Sequence, residues 1–291
     1  MTETTTGASR SSGRKLSRHL LSIATAVGLV VLSGQPAGAL LRTRSVTTAW
    51  APAATATIHP GVQTVTDGAQ CTANFIFQSG TNVYIGQAAH CAGTGAATDT
   101  NGCDAGSRPL GTAVEIEGAS KPGTLVYSSW LAMQVNGETD EETCEYNDFA
   151  LVRIDPADVG RVNPSVPHWG GPVALGGATS EGEQVYSYGN SSLRLGLTVL
   201  SPKVGFSLGT TPGGWSHSVY TLTPGIPGDS GSGFLDESGR AFGTLSTLAL
   251  APLPASNGVG DLAHELAYAN ADGFNAKLVP GTEPYTPGLP L

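Results

Sequence analysis

The sequence predicts an all-β fold of the barrel or sandwich type. Short strand-like runs recur at regular spacing, with Gly and Pro between them. Glycine supplies 40 of 291 residues, about twice the usual share of roughly 7%. Charged residues make up 13%, about half the usual share of roughly 25%. Many turns and few charges suit an exported β protein better than a helical cytosolic one. A chain of 291 residues is long enough for one large β domain or two small ones.

Taken in order, residues 1–39 read as a secretory signal peptide. Arg10, Arg14, Lys15 and Arg18 form a basic region, Leu20 to Ser33 an apolar one, and Ala37-Gly38-Ala39 a small-x-small cleavage site. The apolar run is shorter than the about 20 residues that span a bilayer, which argues against the alternative of a membrane-tethering helix. No Arg-Arg pair supports a twin-arginine route. Without residues 1–39 the chain carries 10 Lys+Arg and 22 Asp+Glu, a formal charge of 10 − 22 = −12. That balance argues against nucleic acid and anionic membrane surfaces as partners.

Residues 40–62, rich in Ala, Thr and Pro, read as a linker or short pro-segment. From Gln63 the strand pattern starts. The runs "TANFIFQ" (72–78) and "NVYIGQAAHC" (82–91) flank a hairpin-type turn, "SGTN". "TAVEIEG" (112–118), "GTLVYSSWLAMQV" (123–135) and "FALVRI" (149–154) continue the series. A Pro/Gly boundary at 163–177 follows. The strands then resume at 183–189, 194–201, 204–209, 218–223, 232–237 and 241–250. One helix is predicted over 261–271, "DLAHELAYANA". Leu262, Leu266 and Ala269 fall on one face, Asp261 serves as N-cap, and Gly273 helps to stop it. The tail 272–291 is Pro/Gly-rich and reads as extended.

The chemistry centres on "TPGIPGDSGSGF", residues 223–234. Such a composition can simply turn the chain. It can also push the Ser230 hydroxyl into the open and let backbone N–H groups approach a substrate. A serine becomes a good nucleophile only beside a base, commonly a histidine oriented by a carboxylate. Of the six histidines, His90 is distinctive, because it ends a strand-like run and precedes Cys91. The plain alternative is a surface histidine at a strand end. Asp148 opens the apolar run "DFALVRI", where an acid is costly without a hydrogen-bond partner. The alternative there is a turn residue after the acidic stretch 136–147. That stretch has a calcium-site flavour but no fixed ligand spacing, and reads equally as solvated surface. Four cysteines, Cys71, Cys91, Cys103 and Cys144, suggest two disulfides with three possible pairings. Cys71, one hairpin back, is the natural partner for Cys91; that closure contributes about 3 kcal/mol. No C-x-x-C pair points to zinc or dithiol chemistry, and no nucleotide-binding or metal spacing appears.

Together "AAHC" (88–91), "DFAL" (148–151) and "GDSGS" (228–232) resemble, in order and spacing, the signature segments of the chymotrypsin-like serine proteases, secreted bacterial branch. The resemblance covers roughly 63–271. It implies two antiparallel six-stranded β-barrels, at 63–165 and 166–260, with the helix 261–271 after them. It implies His90 as general base, Asp148 as its orienter and Ser230 as nucleophile, with the N–H groups of Gly228 and Ser230 as oxyanion hole. Ser246 resembles the family serine beside the catalytic acid. The resemblance also implies a Cys71–Cys91 disulfide, which leaves Cys103–Cys144. The chain departs from the pattern in four places. Ser232 replaces a second glycine. Pro224 stands where trypsin-like members carry an acid, so cleavage after Arg or Lys is unsupported. Leu248 stands where a glycine often lines the pocket mouth. No "IVGG" segment supplies a new N-terminus for Asp229, although "LLRTR" at 40–44 could be a processing site; Asp229 is therefore expected to find an internal partner.

The implied function is a secreted, extracellular serine endopeptidase acting on polypeptides as a monomer. It needs no cofactor or metal and has no stable membrane association after signal cleavage. The alternative is a catalytically silent binding module on the same fold. An α/β-hydrolase esterase is disfavoured, because Ser230 lacks the G-x-S-x-G elbow and the triad order differs.

Overall fold

The computed structural model describes residues 48–96, 98–249 and 254–289. The expected signal peptide at 1–39 and the basic stretch at 40–44 lie outside the described residues.

The N-terminal half holds strands β1 (Gln63–Thr66), β2 (Ala69–Thr72), β3 (Ile76–Ser79), β4 (Asn82–Gln87), β5 (Ala113–Ile116), β6 (Gly123–Ser128) and β7 (Ala150–Arg153). Helices α1 (Ser129–Asn136) and α2 (Glu141–Tyr146) lie between β6 and β7. The C-terminal half holds β8 (Gln184–Tyr188), β9 (Pro202–Thr210), β10 (Ser216–Thr221), β11 (Gly233–Asp236), β12 (Ala241–Ala249) and β13 (Ser256–Asp261). Helix α3 (Leu262–Ala271) and a short β14 (Lys277–Leu278) follow.

Strands β8 to β13 close a six-stranded barrel in the order β10-β13-β12-β11-β8-β9. Its interior is Val185, Val219, Phe234, Phe242, Leu245 and Val259. The first half departs from six strands. It is an eight-stranded antiparallel sheet in the order β14-β3-β4-β7-β6-β5-β1-β2. Two causes are visible. The tail adds β14 at the edge of β3. The run 72–78 bends at Ala73–Phe75, where the Ala73 N–H bonds to Val62 and the Asn74 N–H to Gly86, so one apolar run pairs with β1 at one end and β4 at the other. A second core joins the halves: Phe75, Phe77, Tyr127 and Phe149 of the sheet pack with Tyr186, Val204 and Leu235 of the barrel and Leu262 and Leu266 of α3.

Three expectations need correction. The run 123–135 is not one strand. Its Thr-Leu-Val-Tyr portion pairs as β6, but "SWLAMQVN" is built from better helix formers and ends at Gly137, whose φ of 65° suits the left-handed cap that closes α1. Trp130 and Met133 then face inward, three residues apart. The run 194–201 is not a strand either. Leu195 and Gly196 take φ of 53° and 78°, which breaks extended pairing, and Leu195, Leu197 and Val199 are exposed. Of the expected linker or pro-segment 40–62, residues 50–62 are not a free linker, because Ile58 and Val62 are buried in a core of the N-terminal sheet with Ile85, Val114 and Val152, and Trp50 packs against it. The apolar residues of that Ala/Thr/Pro-rich stretch outweigh its linker-like composition.

Helix α3 forms over Leu262–Ala271, with Asp261 accepting from the His264 N–H at 2.9 Å and Leu262, Leu266 and Ala269 buried. The acidic stretch 136–147 is used locally. Asp140 caps α2 through the Thr143 N–H, and Glu138 accepts from the N–H groups of Thr139 and Asp140. Past β14 the tail lies along the Pro/Gly boundary, where the Thr286 N–H bonds to Trp169 and Tyr285 meets Tyr186.

Candidate active site

His90 sits in a single 3-10 turn, Ala89–Ala92, directly after β4. The Cys71–Cys91 disulfide ties this turn to β2. Cys103–Cys144 joins the loop before β5 to α2, four residues upstream of Asp148. The sulfurs of Cys71 and Cys91 lie near the His90 ring because of that disulfide, and disulfide sulfur offers no thiolate to a metal.

Asp148 is 2% exposed and precedes β7. Its Oδ1 accepts the His90 main-chain N–H at 2.8 Å, and its Oδ2 lies 2.6 Å from His90 Nδ1. Ser246 Oγ, on β12, donates to the same Oδ2 at 2.6 Å. An ionised carboxylate only accepts, so His90 donates from Nδ1 and leaves Nε2 as the acceptor. Burial pushes the Asp148 carboxyl up, but the His90 charge and the bonds from His90 and Ser246 hold it below the usual range. Burial disfavours the charged His90 ring, and the charge and hydrogen bond of Asp148 outweigh it, so the imidazole lies above its ordinary pKa.

Ser230 lies in the turn between β10 and β11, half-exposed. Its Oγ makes no hydrogen bond among the described residues. Ser230, His90, Asp148 and Ser246 nevertheless line one cleft of about 660 Å³ between the sheet and the barrel. The first half grips the turn closely. Thr72 N–H bonds to the Ser230 carbonyl at 2.8 Å, and Thr72 Oγ1 and Gln70 Nε2 both donate to the Gly228 carbonyl, at 2.8 and 3.0 Å. Gly231 has φ of 86°, and a Cβ there would stand 2.6 Å from the Thr72 carbonyl oxygen and 2.9 Å from the Ala88 nitrogen. Gly228 has φ of 94° and no room for a side chain against Gln70 and Ser191. The N–H groups of Asp229, Gly231 and Ser232 are bonded within the protein; those of Gly228 and Ser230 donate to nothing among the described residues.

No protein-family model and no curated protein matches the sequence. Solved structures do. Thermobifida fusca Protease A is 18% identical with a TM-score of 0.50, covering 77% of this chain and 99% of that one. The fold is that of the chymotrypsin-like serine proteases. Two looser likenesses are Nocardiopsis protease (19% identical, TM-score 0.45, 76% of this chain and 98% of that one) and a glutamic acid specific serine protease (14%, 0.49, 76% and 100%).

Asp229, beside the serine, is fully buried and has internal partners. Its Oδ2 lies 2.6 Å from Arg194 Nη2 and 3.0 Å from Lys203 Nζ, and its Oδ1 accepts the Ser191 N–H at 3.1 Å. Lys203 is itself fully buried and also donates to the carbonyls of Thr223 and Pro224, at 3.2 and 3.1 Å. Of the expected substrate-contact residues, Ser246 and Leu248 line the cleft, whereas Pro224 does not. Its carbonyl is taken by Lys203 and Arg194 behind the cleft wall.

Three further buried polar residues escaped the sequence reading. Lys203 sits in a strand whose neighbours give no hint of an inward cation. Glu265 lies on the inner face of α3, accepts from Thr244 Oγ1 at 2.8 Å and faces the Asp148 main-chain N–H. Burial, with Asp148 and Asp261 nearby, pushes its carboxyl well above the usual range. Its position between Leu262 and Leu266 was the available signal, since an acid on an apolar helical face must be neutral or paired. Asn257, on β13, lines the cleft while 1% exposed.

Proposed function

We propose that the chain is a secreted serine endopeptidase that works as a monomer, through an acyl-enzyme on Ser230, with its two halves at 63–165 and 166–260. The carrying observation is the convergence on Asp148, which holds both the backbone and the ring of His90 while Ser230 shares the cleft. His90 Nε2 takes the Ser230 Oγ proton as Oγ bonds to the scissile carbonyl carbon. Asp148 keeps the Nδ1–H tautomer in place and stabilises the imidazolium that forms. The unshared N–H groups of Gly228 and Ser230 suit the oxyanion of the tetrahedral intermediate. As that intermediate collapses, the C–N bond breaks and the imidazolium proton passes to the departing amine. Water, deprotonated by His90, then cleaves the acyl ester and restores Ser230. Two disulfides, and the absence of any helix long and apolar enough to cross a membrane among the described residues, are compatible with export.

A p-nitrophenyl ester tests the covalent step. The expected result is a burst of one nitrophenolate per chain, with the acyl mass localised to Ser230. Steady turnover without a burst, together with acyl mass elsewhere on the chain, contradicts the proposal.

A further inference from the structure

Asn257 carries an inference beyond the reaction class. Its side chain is 1% exposed, yet the amide nitrogen Nδ2 has no hydrogen-bond partner. A buried amide donor left unmade is costly, and such groups in folded proteins call for a reason. Orientation does not supply one here. Gly225 N–H donates to Asn257 Oδ1 at 3.2 Å, and only the carbonyl side of the amide can accept it, so the NH₂ group is fixed in the opposite direction.

That direction is toward the wall of the cleft. Gly225, Ile226, Leu245, Thr247, Leu248 and Asn257 all line it, immediately beside Ser230. A Cβ on Gly225 would stand 2.8 Å from Nδ2 and 3.0 Å from Leu245 Cδ2. Glycine at 225 therefore keeps a side chain off Nδ2, which lies buried against a wall whose side chains are mainly apolar, with the hydroxyl of Thr247 beside them. The charge behind the recess has the same bias. Arg194 and Lys203 share the single carboxylate of Asp229, which leaves one positive charge in excess, and both also contact the Pro224 carbonyl. The cleft also holds two carboxylates, Asp148 bonded to His90 and Ser246, and Asp99 bonded to the Ala96 N–H.

We propose that Asn257 is a specificity-determining residue, and that the recess selects a substrate residue with a carboxamide side chain, as in glutamine, immediately before the scissile bond. This rests on the endopeptidase reading above. The carboxamide oxygen accepts from Asn257 Nδ2. A lysine or arginine sets its own donors against Nδ2, near the excess cation of the Arg194–Asp229–Lys203 cluster. A carboxylate gains from that cation, but with a single neutral donor to accept from it must shed a full charge's hydration in a mainly apolar recess. A methionine of similar length fits the apolar walls and leaves Nδ2 unmade, the situation in which polar pockets discriminate best.

The test uses quenched peptides identical except for Gln, Met, Leu, Glu or Lys before the cleaved bond, with kcat/KM measured for the whole protein and for Asn257→Asp. Fluorophosphonate labelling runs beside them. Gln is expected to exceed Met by about 10- to 100-fold. Asn257→Asp keeps the acceptor for Gly225 N–H but turns the free donor into an acceptor. In that variant the Gln-to-Met ratio should fall at least about tenfold and Lys should gain on Gln. Met, Leu or Glu equalling Gln in the unmodified protein overturns the inference, whether or not the variant folds. So does an unchanged ratio in a folded variant. In both cases, continued labelling and cleavage leave the endopeptidase reading standing. Absence of cleavage and of labelling removes both.

Discussion

Replacing Asp229 by asparagine removes the only anion from a buried cluster of three charges. Asp229 Oδ2 is 2.6 Å from Arg194 and 3.0 Å from Lys203, whose side chains are 7% and 0% exposed. The two cations would then repel each other with no counter-charge, next to the turn that carries Ser230. Breaking a buried pair by removing one partner costs about 3–5 kcal/mol. For a folded body of this size, 1 kcal/mol moves the melting temperature by about 2–4 °C, so a fall of roughly 6–20 °C is expected. Lys203→Met should cost less, because Arg194 still pairs with Asp229 and burial already holds the lysine below its ordinary pKa. Thermal and urea unfolding of the disulfide-bonded protein measures both. A loss under about 1 kcal/mol for Asp229→Asn, or a larger loss for Lys203→Met than for Asp229→Asn, refutes the assignment of Asp229 as the hub. Blocking the protein's N-terminal amine should leave stability and labelling unchanged, since the carboxylate already has internal partners.

Further outcomes follow from the same geometry. The imidazole of His90 lies above its ordinary value, so kcat/KM should fall as the pH drops through that raised pKa and the base becomes protonated. Asp148→Asn removes the charge and acceptor that raise it, so the acid limb should move to lower pH while turnover falls about 10⁴-fold; an unmoved limb argues against the pair. Glu265 is held protonated by burial, so the folded chain binds a proton that the unfolded chain releases above its ordinary carboxylate pKa. Stability should therefore fall as pH rises out of the ordinary carboxylate range, and Glu265→Gln should flatten that slope and gain stability near neutral pH in pH-dependent urea unfolding. Replacing both Cys103 and Cys144 by serine opens a loop with a sequence separation of 41 and should cost about 4 kcal/mol in the same assay.

The candidate site was more legible in the sequence than the frame around it. His90 beside a cysteine, Asp148 at the lip of an apolar run and Ser230 among glycines are local patterns, and local patterns survive in one dimension. Helix α3 was legible for the same reason, because its cap and its apolar spacing lie within eleven residues. The segment 129–136 was not, since its apolar residues continue those of β6 and only Gly137 marks where the period changes. Residues 194–201 misled by hydrophobicity alone, for the leucines there are largely exposed around a left-handed turn. Lys203, Asn257 and Glu265 were hidden because each is defined by a partner 21 to 32 residues away in sequence: Asp229 for Lys203, Gly225 for Asn257, Thr244 for Glu265. Their polarity looks like surface until the strands that bury them are in register.

The most direct test of the central claim is labelling by a fluorophosphonate probe. The folded protein, with both disulfides formed, is compared with Ser230→Ala and His90→Ala. Stoichiometric labelling of the unmodified chain at Ser230, abolished by either substitution, is the predicted result. A folded, unmodified chain that fails to react, or one that reacts equally after Ser230→Ala, contradicts it and leaves the cleft as a binding surface without turnover.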